Sequence, residues 1–296
     1  MWQPPRGAIL AGVDGSAAAL SAVRWAAHAA ALRRMPLALV HVVDAPLPGW
    51  LEVPGPTRFK RRQRQRARDP IGRALKVARE CPGDSGPIRI HSKVFHSAAT
   101  STLIDLSAEV EMLVVGRGRA MARSVLGSVS SALVYHARCP VAVIHDDKAV
   151  TARVAREPVL VGIDGSPASE AATAIAFEEA SRRGVSLVAL HAWADPRVSG
   201  SKTLFQDAKW DAQLSEEEEV LAERLAGWHE RYPDVGVRRR IEIGDPARWL
   251  IEASERAQLV VVGSHGCSPV SGRLLGSVGA AVVHRAKVPV IVARQP

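Results

Sequence analysis

The chain has 296 residues, roughly twice the ~100–200 of a single domain. At 47% hydrophobic and 23% charged it can build packed cores, which excludes global disorder, and no apolar run approaches the ~20 residues needed to cross a bilayer. Residues 1–150 carry 21 Lys+Arg against 11 Asp+Glu and residues 151–296 carry 18 against 19, so the net charge of +9 belongs to the first half and excludes a uniformly basic protein.

The opening MWQPPR has neither a charged n-region nor an apolar h-region, and the expectation is a cytoplasmic protein with no membrane partner. Cys81, Cys139 and Cys267 are odd in number and share no metal-ligand spacing. Reduced thiols are expected, with no disulfide framework and no metal site.

Internal repeats set the organisation. LAGVDGS at 10–16 returns as LVGIDGS at 160–166, and Val40-His41 returns as Leu190-His191. MLVVG at 112–116 returns as LVVVG at 259–263, and CPVAVI at 139–144 returns as VPVIVA at 288–293. The chain is a tandem duplication, with domains expected at 1–146 and 157–296 and a polar, basic linker over 147–156. The changing offset places extra residues in the first copy at 81–87. It also removes two residues from the first copy between Gly116 and Gly127.

In chain order, the first copy begins with a strand ending at Asp14, and after a basic stretch Asp69 and Pro70 open a helix whose Ile71, Leu75 and Ala78 share one face. The second copy predicts strands near 158–163, 186–192, 237–243, 258–263 and 288–293. Helices are predicted over 167–183, 216–231, 246–256 and 276–286. Ser215 with Glu218 has the form of a capping box, and Leu221, Leu225 and Trp228 form the buried face that follows. Short apolar strands alternating with amphipathic helices predict the α/β class, a parallel sheet covered on both faces.

Chemistry in such a sheet belongs at the carboxyl ends of the strands, where the strand order reverses. Two loops stand there. One carries Asp14-Gly15-Ser16 or Asp164-Gly165-Ser166. The other, in the second copy, runs Gly263, Ser264, His265, Gly266, nine residues, then Gly276 and Ser277 opening a helix. Glycines admit an anion close to the backbone and a helix start adds partial positive charge, so this loop suits phosphates. It is neither a Walker A loop nor a dinucleotide fingerprint.

The AspGlySer after strand one, the spacing GxxG-x9-GS after strand four and the CPV or VPV entering strand five resemble the universal stress protein family in its tandem form. The resemblance implies two doubly wound domains, each a five-stranded parallel sheet of order 3-2-1-4-5. In the ATP-binding branch it implies ATP, with or without Mg, held between strands one and four. Carried onto this chain, it sets Ile163 and Asp164 beside adenine, Ala192 against the base, and Val262 and Gly263 near the ribose. It sets Gly266, Gly276, Ser277 and Val278 on the phosphates. The first copy offers Val13, Asp14, Val42, Val115, Gly116, Gly127, Ser128 and Val129. There the loop spans eleven positions instead of thirteen and the inner glycine moves to Gly118, so nucleotide is expected mainly in the second domain. The resemblance further implies a pseudo-two-fold pairing of the copies through their fifth strands. Nothing in the sequence decides whether whole chains form a homodimer.

Several features have simpler explanations. Asp14 and Asp164 also suit a turn or a helix cap, and the glycines suit a tight βα loop. His41, His191 and His265 suit hydrogen-bonded scaffold positions. No Ser-His-Asp order, Cys-His pairing or carboxylate cluster recurs in both copies. The expectation is a regulatory nucleotide-binding protein of stress response, with a slow ATPase or nucleotidyl-transfer enzyme as the alternative. Seven of the eleven residues 58–68 are basic. That run supports a further alternative, an interaction module for an acidic protein or nucleic acid. Phe59 is its one aromatic ring, which argues against sequence-specific readout.

Overall fold

The structure, a computed structural model, describes residues 2–43, 70–81, 88–118, 126–145, 156–193, 208–266 and 275–294, with side chains of 208–214 left aside. The basic run 58–68, Asp69, Cys267 and most of the expected linker lie outside the described residues.

The chain divides into two compact units, 1–146 and 147–295. In the first, β1 (Ile9–Gly12), α1 (Ala17–Arg33), β2 (Leu37–Val43), α2 (70–79) and β3 (Ile90–His96) are followed by α3 (Ala99–Leu106) and a 3₁₀ turn at Ser107–Glu109. β4 (Met112–Gly116), α4 (Ser128–His136) and β5 (Val141–Ile144) complete it. The second unit repeats the series as β6 (Val159–Gly162), α5 (Pro167–Arg183), β7 (Leu187–Trp193), α6 (Ala208–Arg231) and β8 (Val237–Ile243), then α7 (Pro246–Ser254), β9 (Leu259–Gly263), α8 (Ser277–Arg285) and β10 (Val290–Ala293).

Both sheets are parallel. The first runs β3-β2-β1-β4-β5, with Ile9 opposite Leu37 on one side and Met112 on the other. The second runs β8-β7-β6-β9-β10, with Val159 between Leu187 and Leu259. Each is the expected order 3-2-1-4-5. Right-handed crossovers explain the layers: the steps from strand one to three run one way across the sheet, and the steps from three to five run back. The first two helices therefore cover one face and the last two the other. Central strands covered on both faces must be apolar throughout. Leu113, Val114 and Val115 of β4 and Leu259, Val260 and Val261 of β9 are buried accordingly, each such side chain contributing about 1.5–3 kcal/mol.

Local chemistry fixes the helix starts that face the site. Asp14 Oδ1 accepts from the Ser16 amide at 2.8 Å, and Ser16 Oγ accepts from the Ala19 amide at 3.1 Å to cap α1. The copy is faithful: Asp164 Oδ1 accepts from Ser166 N at 2.9 Å, and Ser166 Oγ from Ser169 N at 3.1 Å, with Pro167 in the first turn.

Two expectations need correction. Ser215 and Glu218 are not a capping box, because α6 already begins at Ala208 and Ser215 lies inside it. The residues AKWDAQL before Ser215 contain no glycine or proline and propagate a helix at little cost. On α2, Ile71, Ala74 and Ala78 are buried while Leu75 is only half-buried, so the face is turned by one residue. Helix α7 also ends at Ser254 and not at 256, and Gly276 and Ala286 cap α8 from outside. Among the described residues, no helix is long and apolar enough to cross a membrane. Among the described residues, Cys81 is half-buried and Cys139 buried, and neither is in a disulfide.

Candidate functional site

The carboxyl ends of β1 and β4 in the first unit splay apart above α3 and leave a cavity of about 300 Å³, within the lower range of small-molecule sites. All eight residues anticipated for this copy line it: Val13, Asp14, Val42, Val115, Gly116, Gly127, Ser128 and Val129. Gly118 lines it as well, as do Ala99 and Leu103 of α3. The sequence reading missed those two, which lie four residues apart on one face of a helix outside any quoted motif. Apolar walls from Val13, Val40, Val42, Leu103 and Val115 meet the amino-terminal turns of α1 and α4, so a flat apolar body and an anionic end are both accommodated.

In the second unit the anticipated residues occupy the matching ends. Ile163 and Asp164 follow β6, Ala192 lies in β7, Val262 and Gly263 end β9, and Gly276, Ser277 and Val278 open α8. Three contacts bring them together. A Cβ on Gly266 would lie 2.8 Å from Asp164 Oδ2, the Gly276 amide donates to the Ser264 carbonyl at 2.8 Å, and Ser166 Oγ donates to the His265 carbonyl at 3.3 Å. The amino termini of α5 and α8 thus converge on the segment 264–266.

Gly116 and Gly263 have a second reason to be glycine. A Cβ on Gly116 would fall 2.6 Å from the Ala18 backbone, and one on Gly263 would fall 2.9 Å from that of Ala168. These glycines let the first helix of each unit cross the end of the fourth strand. Gly276 is different: its Cβ would make only ordinary van der Waals contacts, 3.6–3.7 Å from the backbone of 264–266.

The histidines are scaffold. His41 Nδ1 lies 2.6 Å from the Val13 carbonyl and His191 Nδ1 lies 2.7 Å from that of Ile163, which makes Nδ1 the protonated donor in both. They hold the last peptide of strand one from the face opposite Val42 and Ala192. Ser264 Oγ lies 2.7 Å from His265 Nδ1, but Ser264 is fully buried, so the pair orients a ring and exposes no nucleophile. Among the described residues, no group of three His, Cys, Asp or Glu side chains is placed to hold a metal.

The second unit has further braces that the sequence did not reveal. Glu217 Oε2 stands 3.2 Å from His191 Nε2, and the Arg224 guanidinium packs directly on Gly165. Ser169 Oγ lies 3.1 Å from the Gly165 amide and 3.4 Å from the Asp164 amide.

Duplicated sheets of this order, each with an Asp-Gly-Ser turn facing a glycine-bounded loop, define a tandem doubly wound α/β protein. The universal stress protein family model matches residues 6–145 and again 155–294, and the chain belongs to that family. It is 51% identical over 290 residues to a universal stress protein of Mycobacterium tuberculosis strain H37Rv, covering 97% of this chain and 96% of that one. It is 50% identical to one of Mycobacterium bovis, covering 97% of each. Among solved structures, a universal stress protein from Archaeoglobus fulgidus covers 99% of this chain and 100% of that one with a TM-score of 0.69 at 18% identity, a likeness of fold.

Proposed function

We propose that this universal stress protein binds an adenine nucleotide, ATP in the second unit, between the first and fourth strands of the sheet, and that occupancy regulates its stress-response partners, with turnover slow or absent. The observation that carries the reading is the convergence of the α5 and α8 amino termini on the segment 264–266, where Ser166 Oγ donates to the His265 carbonyl and the Gly276 amide to that of Ser264. Gly276 meets no crowding that demands a glycine, yet it stands where two helix amino termini converge, and a ligand phosphate is the group that close approach would serve. Asp164 and Ala192 take the base, Val262 and Gly263 the ribose, and Gly266, Ser277 and Val278 the phosphates. Magnesium, where it accompanies ATP, would be held by phosphate oxygens and water, consistent with a site offering Asp164 as its named carboxylate.

Calorimetric titration of ATP into wild type and Gly276→Val tests this. The reading expects at least tenfold weaker binding with an unchanged far-ultraviolet spectrum and unfolding midpoint. Equal affinity in a folded Gly276→Val would refute the assignment.

A further inference from the structure

The two crevices differ at one register position beside the base. In the second unit, Ala192 of β7, the residue set against the base, stands opposite Glu242 of β8. Side chains alternate along a strand, register partners in a parallel sheet share a face, and neighbouring strands lie only about 4.8 Å apart. His191 is turned toward Glu217 of α6, so Ala192 and Glu242 both stand on the other face, that of the base. Arg240, two residues earlier on β8, shares that face: its Nε donates to Glu242 Oε1 at 3.1 Å, and its Nη2 donates to the same oxygen. The carboxylate is therefore held at one oxygen and half-buried. Its other oxygen, Oε2, has no partner among the described residues.

The first unit has no carboxylate at this position. Val42, which lines the cavity, stands opposite Phe95 of β3. Trp2 meets Phe95 edge-on, with ring centroids 5.9 Å apart. One strand outward from the base residue, the first crevice thus has a braced apolar ring where the second has a braced acceptor.

A carboxylate only accepts hydrogen bonds. Adenine carries an exocyclic amine that donates, whereas a 6-oxopurine carries in the same place an oxygen that only accepts. Against a held carboxylate the amine forms a bond. The oxo group instead meets like partial charge and strips water from the carboxylate without replacing it. Because Arg240 fixes Glu242, rotation of the side chain does not relieve that mismatch.

From this placement we infer that Glu242 is the specificity-determining residue of the second crevice: it accepts from the exocyclic amine of a 6-aminopurine and rejects a 6-oxopurine. The inference rests on the nucleotide reading given above and adds to it the group that reads the base. It also assigns a use to the bond from Arg240, which positions the carboxylate and does not itself contact the amine.

ATP and ITP are the probes, because they carry an amine and an oxo group at the same ring position and share sugar and phosphates. Calorimetry on the full wild-type chain should show a tight event in which ATP binds roughly tenfold or more tighter than ITP. Glu242→Gln, whose amide can turn either oxygen or nitrogen to the base, should bring the two affinities within about threefold, chiefly by strengthening ITP. Glu242→Ala, which leaves Arg240 to donate to the oxo group, should bring the ratio to one or below. Phe95→Ala should leave the ratio of the tight event at its wild-type value. An unchanged ratio in the folded Glu242 variants, or equal weakening of ATP and ITP, would make the carboxylate scaffold and overturn the inference while leaving the nucleotide reading intact. Wild type binding ITP as tightly as ATP would do the same. A wild-type chain that binds neither nucleotide would overturn both.

Discussion

His191 donates from Nδ1 to the carbonyl of Ile163 at 2.7 Å, and its other ring nitrogen stands 3.2 Å from Glu217 Oε2. One imidazole therefore ties α6 to the last peptide of β6, immediately before the Asp164 turn. A carbonyl oxygen only accepts, so Nδ1 is the donor of the bond to Ile163. Through this bond a helix on one face of the sheet fixes the backbone from which the crevice on the other face is built.

Replacing His191 by Phe should leave the Ile163 carbonyl without this donor at a cost of about 1–3 kcal/mol. Glu217→Gln should cost less than about 1 kcal/mol, because the pair is partly solvated. Urea unfolding of each variant measures both. A His191→Phe midpoint equal to wild type would show that the bond does not position the strand end.

Gly165 has φ +78° and Arg224 lies where its Cβ would point. Gly165→Ala should cost roughly 1–2 kcal/mol from the left-handed conformation and expel the guanidinium, whose far end is flexible. Arg224→Ala should then destabilise wild type but be silent in the Gly165→Ala background. A double-mutant cycle should give a coupling of about 0.5 kcal/mol or more, and strict additivity would mean that Arg224 does not brace the turn.

The strands were legible because a parallel strand buried on both faces is an uninterrupted apolar word, and duplication spelled each word twice, as MLVVG and LVVVG. The start of α6 was not, because Ser215 followed by Glu218 imitates a helix beginning at a place the helix simply passes through. Position in a motif located Val42 and Gly127 in the cavity. It was silent on Ala99 and Leu103, which reach the cavity from a helix with no motif. Nor does a glycine disclose its reason: Gly263 and Gly276 read alike in sequence, and only the packing of Ala168 against one of them tells them apart.

The α5 helix buries an ion pair. Arg183 Nε donates to Glu179 Oε2 at 2.8 Å, with side chains 9% and 0% exposed, and Arg183 Nη1 donates to Gln258 Oε1 at 3.2 Å. Burial pulls the Arg183 guanidinium down to about 10. A cation whose folded value lies below its unfolded one carries a desolvation cost that is fully present below pH 10 and relieved above it. At neutral pH that cost must be offset by Glu179. Glu179→Ala should therefore lose about 3–5 kcal/mol, while Glu179→Ala with Arg183→Met should recover most of it. The first unit has Ala29 at the matching position and directs Arg33 Nη1 to the Ala29 carbonyl. Denaturant titration of the single and double variants decides, and a double variant as unstable as the single one would contradict the account.

Substitution of the loop glycines should divide them by cause. Gly116→Ala and Gly263→Ala drive a Cβ to 2.6 Å and 2.9 Å from helix backbone that cannot swing aside, and each should lower stability by about 1–3 kcal/mol with or without nucleotide. Gly276→Ala meets only ordinary contacts at 3.6 Å and should leave the unliganded midpoint within about 0.5 kcal/mol of wild type. Ligand stabilisation follows the ratio of nucleotide concentration to dissociation constant. ATP should therefore raise the wild-type thermal midpoint and raise that of Gly276→Ala less. If Gly276→Ala instead unfolds as readily as Gly263→Ala in the absence of nucleotide, its glycine serves the fold and not a ligand. Loss of binding in any variant at that position would then say nothing about phosphates.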